Sequence, residues 1–285
     1  MKTAVSFQAP ESLDEACELL AQNEEARAVG GGTALAILLR QGLVRPEMLV
    51  SVARIPGMHD IHVNGTLRLG AAVRLRVAEQ HAGVKAGWPM LAETLRSVAT
   101  PRVRNMATIG GGAAHADPSQ DPPATLVALQ ARMLIAGPGG KRTLAAEEFF
   151  VDYYENALQQ GEILEAVEVP PLEPNAGAVF LKYRPRSVED YATVSAAAVV
   201  ELDEAGACQA ARLVLGAAGS TPVSVPVSEA LVGEAVSEAR ARAAADLARD
   251  LVDPNDDVRG SAAYKREMAV VFGRRALLAA AARAR

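Results

Sequence analysis

Val29-Gly30-Gly31-Gly32-Thr33-Ala34-Leu35 and Thr108-Ile109-Gly110-Gly111-Gly112 are the two stretches on which the reading of this chain turns. The first follows a short apolar segment, Ala26 to Val29, and leads into a helical pattern from Thr33 to Gln41. Glycine at such a junction permits positive φ and lets backbone N–H groups approach an anion closely. The N-terminus of the following helix adds its dipole. The spacing is not the Rossmann fingerprint, which would need glycine where Leu35 stands, and no Lys-Ser/Thr pair follows to make a Walker A loop. Taken alone, Gly-Gly-Gly-Thr is a weak signal that more often marks merely a tight turn. Two such loops together read as a clasp for a pyrophosphate, held by backbone N–H groups with the Thr33 and Thr108 hydroxyls as further donors. After the second triplet comes Ala113-Ala114-His115-Ala116-Asp117-Pro118-Ser119-Gln120-Asp121-Pro122-Pro123. Asp121 is placed either to accept from ribose hydroxyls or to cap the turn before Pro122.

The composition narrows the classes. The chain has 285 residues, 50% of them hydrophobic, and 29 Lys+Arg against 34 Asp+Glu give a net charge of −5. That excludes a disordered chain and argues against a nucleic-acid surface, which needs a basic face. The two cysteines, Cys17 and Cys208, exclude a disulfide scaffold, a Cys-rich zinc module and an iron–sulfur cluster held by this chain alone. His59, His62, His81 and His115 show no ligand spacing, so no metal site is expected. No apolar run reaches the ~18 residues of a membrane span, and Pro10, Glu11 and Asp14 do not suit a signal peptide. The expectation is a cytoplasmic globular protein with no transmembrane segment and no nucleic-acid partner.

Along the chain, Ser12 to Asn23 reads as a helix opened by a Ser12/Glu15 capping box, with Cys17 on its apolar face. Met48 to Val52 reads as a strand, Ile61 to Leu69 as a hairpin about Asn64-Gly65, Val84 to Thr100 as helical at its centre, and Met133 to Leu144 as a second hairpin. Ile163 to Val169 is a strand stopped by Pro170-Pro171, and Glu173 to Gly177 a linker. Strands then follow at Val179 to Tyr183, Val194 to Leu202 and Ala211 to Leu215, and helices at Ser237 to Leu251 and Ala262 to Ala282. The organisation is α+β, divided near residue 177.

These pieces resemble the FAD-binding, or medium, subunit of molybdenum hydroxylases, the family of the carbon monoxide dehydrogenase medium subunit and of the central domain of xanthine dehydrogenase. The resemblance runs in order through Pro10 to Ala16, Gly30-Gly31-Gly32-Thr33, Pro101-Arg102-Val103-Arg104-Asn105, Thr108-Ile109-Gly110-Gly111, and Ala116 to Pro123. It continues through Gly161-Glu162-Ile163-Leu164, Phe180 to Tyr183, and Asp253 to Arg266. It implies a vanillyl-alcohol-oxidase (PCMH-type) FAD-binding domain over residues 1–176, made of two α+β subdomains (about 1–56 and 57–176). A smaller C-terminal α+β domain of short antiparallel sheet plus helices would cover 177–285. By resemblance, Ala28, Val29, Gly30, Gly31, Gly32, Thr33, Ala34 and Leu35, with Thr108, Ile109, Gly110, Gly111 and Gly112, would wrap the FAD pyrophosphate. Asp121 would hold the ribose or adenosine end, Leu164 would pack the adenine, and His115, Lys182 and Tyr191 would lie close to the cofactor. Ala34, Gly112 and Tyr191 depart from residues frequent in relatives, which leaves the backbone cradle in place.

The resemblance implies an oxidoreductase subunit with no catalytic acid or base and no metal of its own. The organic substrate would be oxidised at a molybdopterin centre in a large subunit. Electrons would pass through 2Fe–2S clusters of a small subunit to FAD and on to NAD, a quinone, a cytochrome or oxygen, in a dimer of heterotrimers. Two other readings stand beside it: a stand-alone flavin oxidase or reductase of the same superfamily, and a flavin-less assembly module. Lys182 reads either as a positive charge beside the flavin or as a surface lysine ending a strand, and Tyr191 as a flavin neighbour or a buried strand residue.

Overall fold

The computed structural model describes residues 5–187 and 189–284. The chain begins β1 (Ser6–Gln8), α1 (Leu13–Ala21), β2 (Ala26–Val29), α2 (Leu35–Gln41) and β3 (Met48–Ser51). β1 and β2 flank β3 and run parallel to it. α1 opens as its sequence predicts: the Ser12 hydroxyl accepts from the Glu15 amide at 3.1 Å, and the Glu15 carboxylate accepts from the Glu11 amide at 3.2 Å. Its apolar side buries Ala16, Cys17 and Leu20. The Cys17 thiol donates to the Ala136 carbonyl, and burial, reinforced by Asp14, pushes it up to about 11, so it is an inert core group.

The second unit contains β4 (Ile61–Asn64) and β5 (Thr66–Gly70), joined through Gly65 at φ +70°. Six helices follow: α3 (Leu75–Gln80), α4 (Ala82–Gly87), α5 (Pro89–Ser97), α6 (Pro101–Arg104), α7 (Ile109–His115) and α8 (Asp121–Ala128). The stretch 84–100, expected to be helical at its centre, holds α5 there, with the end of α4 before it. Pro89 lacks an N–H and is suited to the first helical position, so a new helix starts there after Trp88 leaves helical geometry. The hairpin β6 (Arg132–Gly137) and β7 (Gly140–Ala145), the short α9 (Ala146–Phe149), β8 (Phe150–Asp152), β9 (Glu155–Asn156) and β10 (Ile163–Val169) complete the unit. Its main sheet is antiparallel, in the order β4-β5-β10-β6-β7.

The last unit is an antiparallel sheet of β11 (Ala176–Tyr183), β12 (Val194–Leu202), β13 (Cys208–Gly216) and β14 (Val223–Val225), with α10 (Ser228–Leu231), α11 (Glu238–Asp246) and α12 (Ala262–Arg283). The helix expected over 237–251 ends at Asp246 and continues as a 3-10 turn, Leu247–Asp250. Residues 176 and 177, expected in a linker, already belong to β11. Among the described residues, no helix is long and apolar enough to cross a membrane.

This last sheet is buried on both faces. Ala178, Phe180, Ala197, Val199 and Val214 join the core of the preceding units. Val179, Ala196, Ala198, Val200, Leu213 and Leu215 form a separate core with α11 and α12. Period-two alternation sends successive residues to the two cores, so β12 reads as a nearly unbroken apolar run. Small residues dominate it because helices cover both sides. At Gly177 the fit is tightest: a Cβ there would lie 2.0 Å from the Ala280 carbonyl oxygen of α12. Gly177 is not in the positive-φ set, so sterics alone would penalise alanine. Gly177→Ala is expected to lower stability by roughly 1–3 kcal/mol, through displacement of α12. Urea unfolding of wild type and variant with unchanged midpoints would contradict that packing.

Candidate functional site

The fold presses the two glycine triplets together. A Cβ on Gly31 would lie 1.9 Å from the Met106 carbonyl oxygen, and one on Gly30 would lie 2.7 Å from Thr108 Oγ1. Gly32 sits at φ +68°, in the left-handed region where a side chain is strained. Thus the first triplet is needed both for its turn and for the close approach of two chain segments.

The triplets do different work. Gly110, Gly111 and Gly112 are not a loop, as the sequence suggested, but the first turn of α7, and none has positive φ. Gly110 is demanded by packing, since its Cβ would lie 2.3 Å from the Ala71 Cβ. The amides of this turn are already satisfied: Ile109 donates to Val73 O and Gly110 to Ala71 O, both at 2.9 Å. Gly111 donates to Thr108 Oγ1 at 3.1 Å and Gly112 to Thr108 O at 3.0 Å. In the first loop, by contrast, the N–H groups from Gly30 to Leu35 have no protein acceptor among the described residues. Ala34 stands at the N-cap of α2, which has no side-chain cap bond. A Ser or Asp side chain there would compete for one of these amides. Free, partly exposed donors in a row, at the start of a helix, are what an anion requires. Ala28 and Val29 deliver the loop from β2, with Ala28 opposite Val50 and Val29 opposite Ser51 of β3. Thr33 lies between, partly exposed.

Asp121 and Lys182 meet. Asp121 opens α8 with its side chain 3% exposed, and the Lys182 ammonium on β11, 4% exposed, stands 2.8 Å from its Oδ2. Ser97 at the end of α5 donates to the same oxygen at 3.1 Å, and its carbonyl accepts from Lys182 at 3.2 Å. Asp121 is therefore not a turn cap, and Lys182 is not a surface lysine. Burial pushes the Asp121 carboxyl above the usual range, while Lys182 and Ser97 pull against it. Among the described residues, Asp121 Oδ1 is buried without a partner, as are Ser195 Oγ on β12 and Thr193 Oγ1 just before that strand. Ser195 pairs with Lys182 across the strands. The seam between α8 and the C-terminal sheet thus holds unpaired acceptors beside a buried charge pair. Ser97 carries no sequence signal, because an isolated serine near a helix end is ordinary.

At the other end of α7, the His115 ring lies 5.3 Å from that of Tyr154, and burial lowers its basicity. Tyr154 sits at φ +57° at the tip of the β8–β9 hairpin. Tyr191, expected near a flavin or in a buried strand, lies in the loop before β12 and is 46% exposed, with the Arg259 guanidinium 5.3 Å from its ring centre. Desolvation, and then the Asp117 carboxylate, push its hydroxyl up to about 12, so it remains protonated. Leu164 is apart from this group. It lies in β10 opposite Ile135, 3% exposed and within the core. Of the arginines beside the Pro101 turn, Arg104 is internal. Its Nε pairs with Glu79 at 3.0 Å, and its Nη1 donates to the Val98 and Ala99 carbonyls at 2.7 and 2.9 Å.

Known proteins match this geometry along its whole length. Residues 3–172 match the family described as the FAD binding domain in molybdopterin dehydrogenase, and residues 179–280 the CO dehydrogenase flavoprotein C-terminal domain. The 6-hydroxypseudooxynicotine dehydrogenase complex subunit alpha of Paenarthrobacter nicotinovorans is 34% identical over 96% of this chain and 94% of its own. The carbon monoxide dehydrogenase medium chain of Hydrogenophaga pseudoflava is 34% identical over 97% of each. A solved carbon monoxide dehydrogenase from Hydrogenophaga pseudoflava superposes with a TM-score of 0.95 over 99% of both chains at 34% identity. Quinoline 2-oxidoreductase from Pseudomonas putida 86 superposes at 0.93, with 35% identity, over 100% of this chain and 99% of its own.

Breaking the buried pair tests its weight. Lys182→Met leaves the Asp121 carboxylate buried and uncompensated, and is expected to cost about 3–5 kcal/mol near neutral pH. The carboxyl's folded-state pKa then rises further. Its stabilising effect is present at low pH and lost as pH rises through that raised value, so the deficit shrinks on acidification. Adding Asp121→Asn should recover part of the loss. Urea unfolding near pH 5 and near pH 8 checks this, and a deficit equal at both would refute it.

Proposed function

We propose, on the premise that this chain belongs to the FAD-binding flavoprotein family of molybdopterin dehydrogenases, that it relays electrons within a molybdenum hydroxylase complex. In this reading the organic substrate is oxidised at a molybdopterin centre in a large subunit. A small subunit with 2Fe–2S clusters feeds the FAD held here, and an external acceptor (NAD, a quinone, a cytochrome or oxygen) takes the electrons away. The complex is a dimer of such heterotrimers. One observation carries the cofactor assignment: the row of free amides from Gly30 to Leu35, braced by the packed first turn of α7.

The residues present fit FAD. In a chain of net charge −5, phosphates are best received by backbone donors that carry no countercharge of their own, and the first loop supplies them. Thr108 has its oxygen occupied by the Gly111 amide but keeps its O–H to donate. Asp121 Oδ1 offers an acceptor to a hydroxyl of the cofactor, and Lys182 next to it favours the charged form of that carboxylate against the effect of burial. His115 and Tyr191 present rings and polar tips beside α7, while Leu164 contributes from within the core. Bound there, FAD would supply one- and two-electron redox chemistry. The chain's own task is to hold, orient and shield. Both cysteines are buried, and a cluster needs four ligands, so the iron–sulfur relay belongs to another chain.

The chain co-expressed with its partner subunits is expected to purify yellow, with iron and molybdenum in the same fractions, and its flavin to be reduced on addition of the organic substrate. Gly31→Ala, which places a methyl against the Met106 carbonyl, should abolish flavin retention while leaving the helical signal of the C-terminal unit in circular dichroism. Turnover by this chain alone, without iron or molybdenum, would instead favour a stand-alone flavin oxidase or reductase. A colourless protein would favour an assembly module.

A further inference from the structure

The helix that follows the amide loop is left bare. α2 reads Leu35-Ala36-Ile37-Leu38-Leu39-Arg40-Gln41, with five apolar residues in seven, and none of them is buried. Ile37 is 55% exposed, and Leu43, just past the helix, is 68% exposed. Met106, whose carbonyl abuts Gly31, is 53% exposed. A helix of seven residues is not stable in water by its own propensity. What closes this one is its end: Gly42 at φ +71° donates to Leu39 O at 3.1 Å, and Leu43 donates to Leu38 O at 3.0 Å, the arrangement of a glycine C-cap. The rim is basic. From Ala26 to Pro46 the chain carries Arg27, Arg40 and Arg45 and no carboxylate, although the whole protein is acidic. Arg40, Arg45 and the exposed Arg102 make no ion pair among the described residues.

We infer that α2, with Leu43 and Met106, is the docking surface for the iron–sulfur subunit of the complex, through an apolar groove on that subunit rimmed by carboxylates. The inference rests on the electron-relay reading above. Two features select this occupant. The helix is the direct continuation of the loop proposed to hold FAD, so whatever seats on it comes to the cofactor's side, where the electron donor has to be. Its basic rim is matched by an acidic partner and is mismatched to a second copy of this chain, which would bring Arg40 and Arg45 against a like-charged surface.

The test uses the complex purified through a tag on this chain, with iron and flavin both measured. Ile37→Glu combined with Leu43→Glu should lower iron per flavin at least tenfold while flavin per chain and thermal midpoint stay at wild-type values, because neither side chain is buried. Arg40→Glu with Arg45→Glu should lower it too, and more so as ionic strength is reduced, when like charges repel most. Unchanged iron per flavin in the apolar variant would overturn the proposal. So would loss of flavin along with the iron, which would make α2 part of the cofactor site. So would a wild-type chain that is dimeric when expressed alone and made monomeric by the same substitutions. If the wild-type preparation carries flavin but no iron, the electron-relay reading itself fails, and this surface assignment with it.

Discussion

The contact between Gly31 and the Met106 carbonyl is the constraint around which the cofactor unit is arranged. Two segments far apart in sequence approach so closely that no side chain fits between them, and the approach is fixed from both sides. On one side, the parallel β2–β3 pairing delivers the first loop. On the other, α7 is anchored by hydrogen bonds that the Ile109 and Gly110 amides donate to the Val73 and Ala71 carbonyls. Because those bonds and the Thr108 cap satisfy the start of α7, that helix acts as a rigid wall. Because Ala34 supplies no cap, the opposing loop keeps its donors. A loop of this kind is preorganised: its amides are oriented by the fold, so an anion bound there would meet little cost of ordering.

How far the sequence foretold this depends on the range of the interaction. α1 was legible because capping and apolar spacing are local, and Ser12, Glu15, Ala16 and Cys17 act within two turns of each other. The hairpin at Gly65 was legible for the same reason. The role of Gly110 was not: its neighbour is Ala71, and no local pattern distinguishes a glycine kept for clearance from one kept for a positive φ. The start of α5 at Pro89 was legible, because a residue without an N–H suits the first helical position, whereas the separate α4 before it carried no such mark. The glycine loops, Asp121 and Lys182 were all singled out, by resemblance and by residue type. Their pairing was not, because the ion pair joins residues on separate units and involves Ser97, which no motif marks.

That ion pair also ties the C-terminal sheet to the unit that carries the candidate site. β11 and β12 lie with one face on α5 and α8 and the other on α12, so Lys182 reaches Asp121 from a strand whose position is fixed by two cores. A buried pair of this sort adds little net stability over apolar packing of the same volume. Its value lies in specificity, since any shift of the sheet relative to α8 would separate two charges in a medium that screens them poorly. The unpartnered Asp121 Oδ1, Ser195 Oγ and Thr193 Oγ1 along the same seam add to that cost, and each is the type of group that a bound hydroxyl or water would relieve.

The surface of α2 follows the reverse logic. Where the Lys182 seam is closed, α2 buries none of its residues fully: Leu35, Leu38 and Leu39 are half-buried, and Ile37 and the following Leu43 lie in water. Leaving Ile37 and Leu43 exposed opposes folding of the isolated chain nowhere in the core, but it forfeits the gain that burial would give, about 25 cal/mol for each Å² of apolar surface. In a protein whose other helices are so closely packed that glycine is required at Gly177 and Gly110, such an omission is informative. In the proposed relay, a chain whose two cysteines are both buried would meet its electron donor at a surface. The bare helix beside the amide loop has the apolar centre and the charged rim that such a meeting uses.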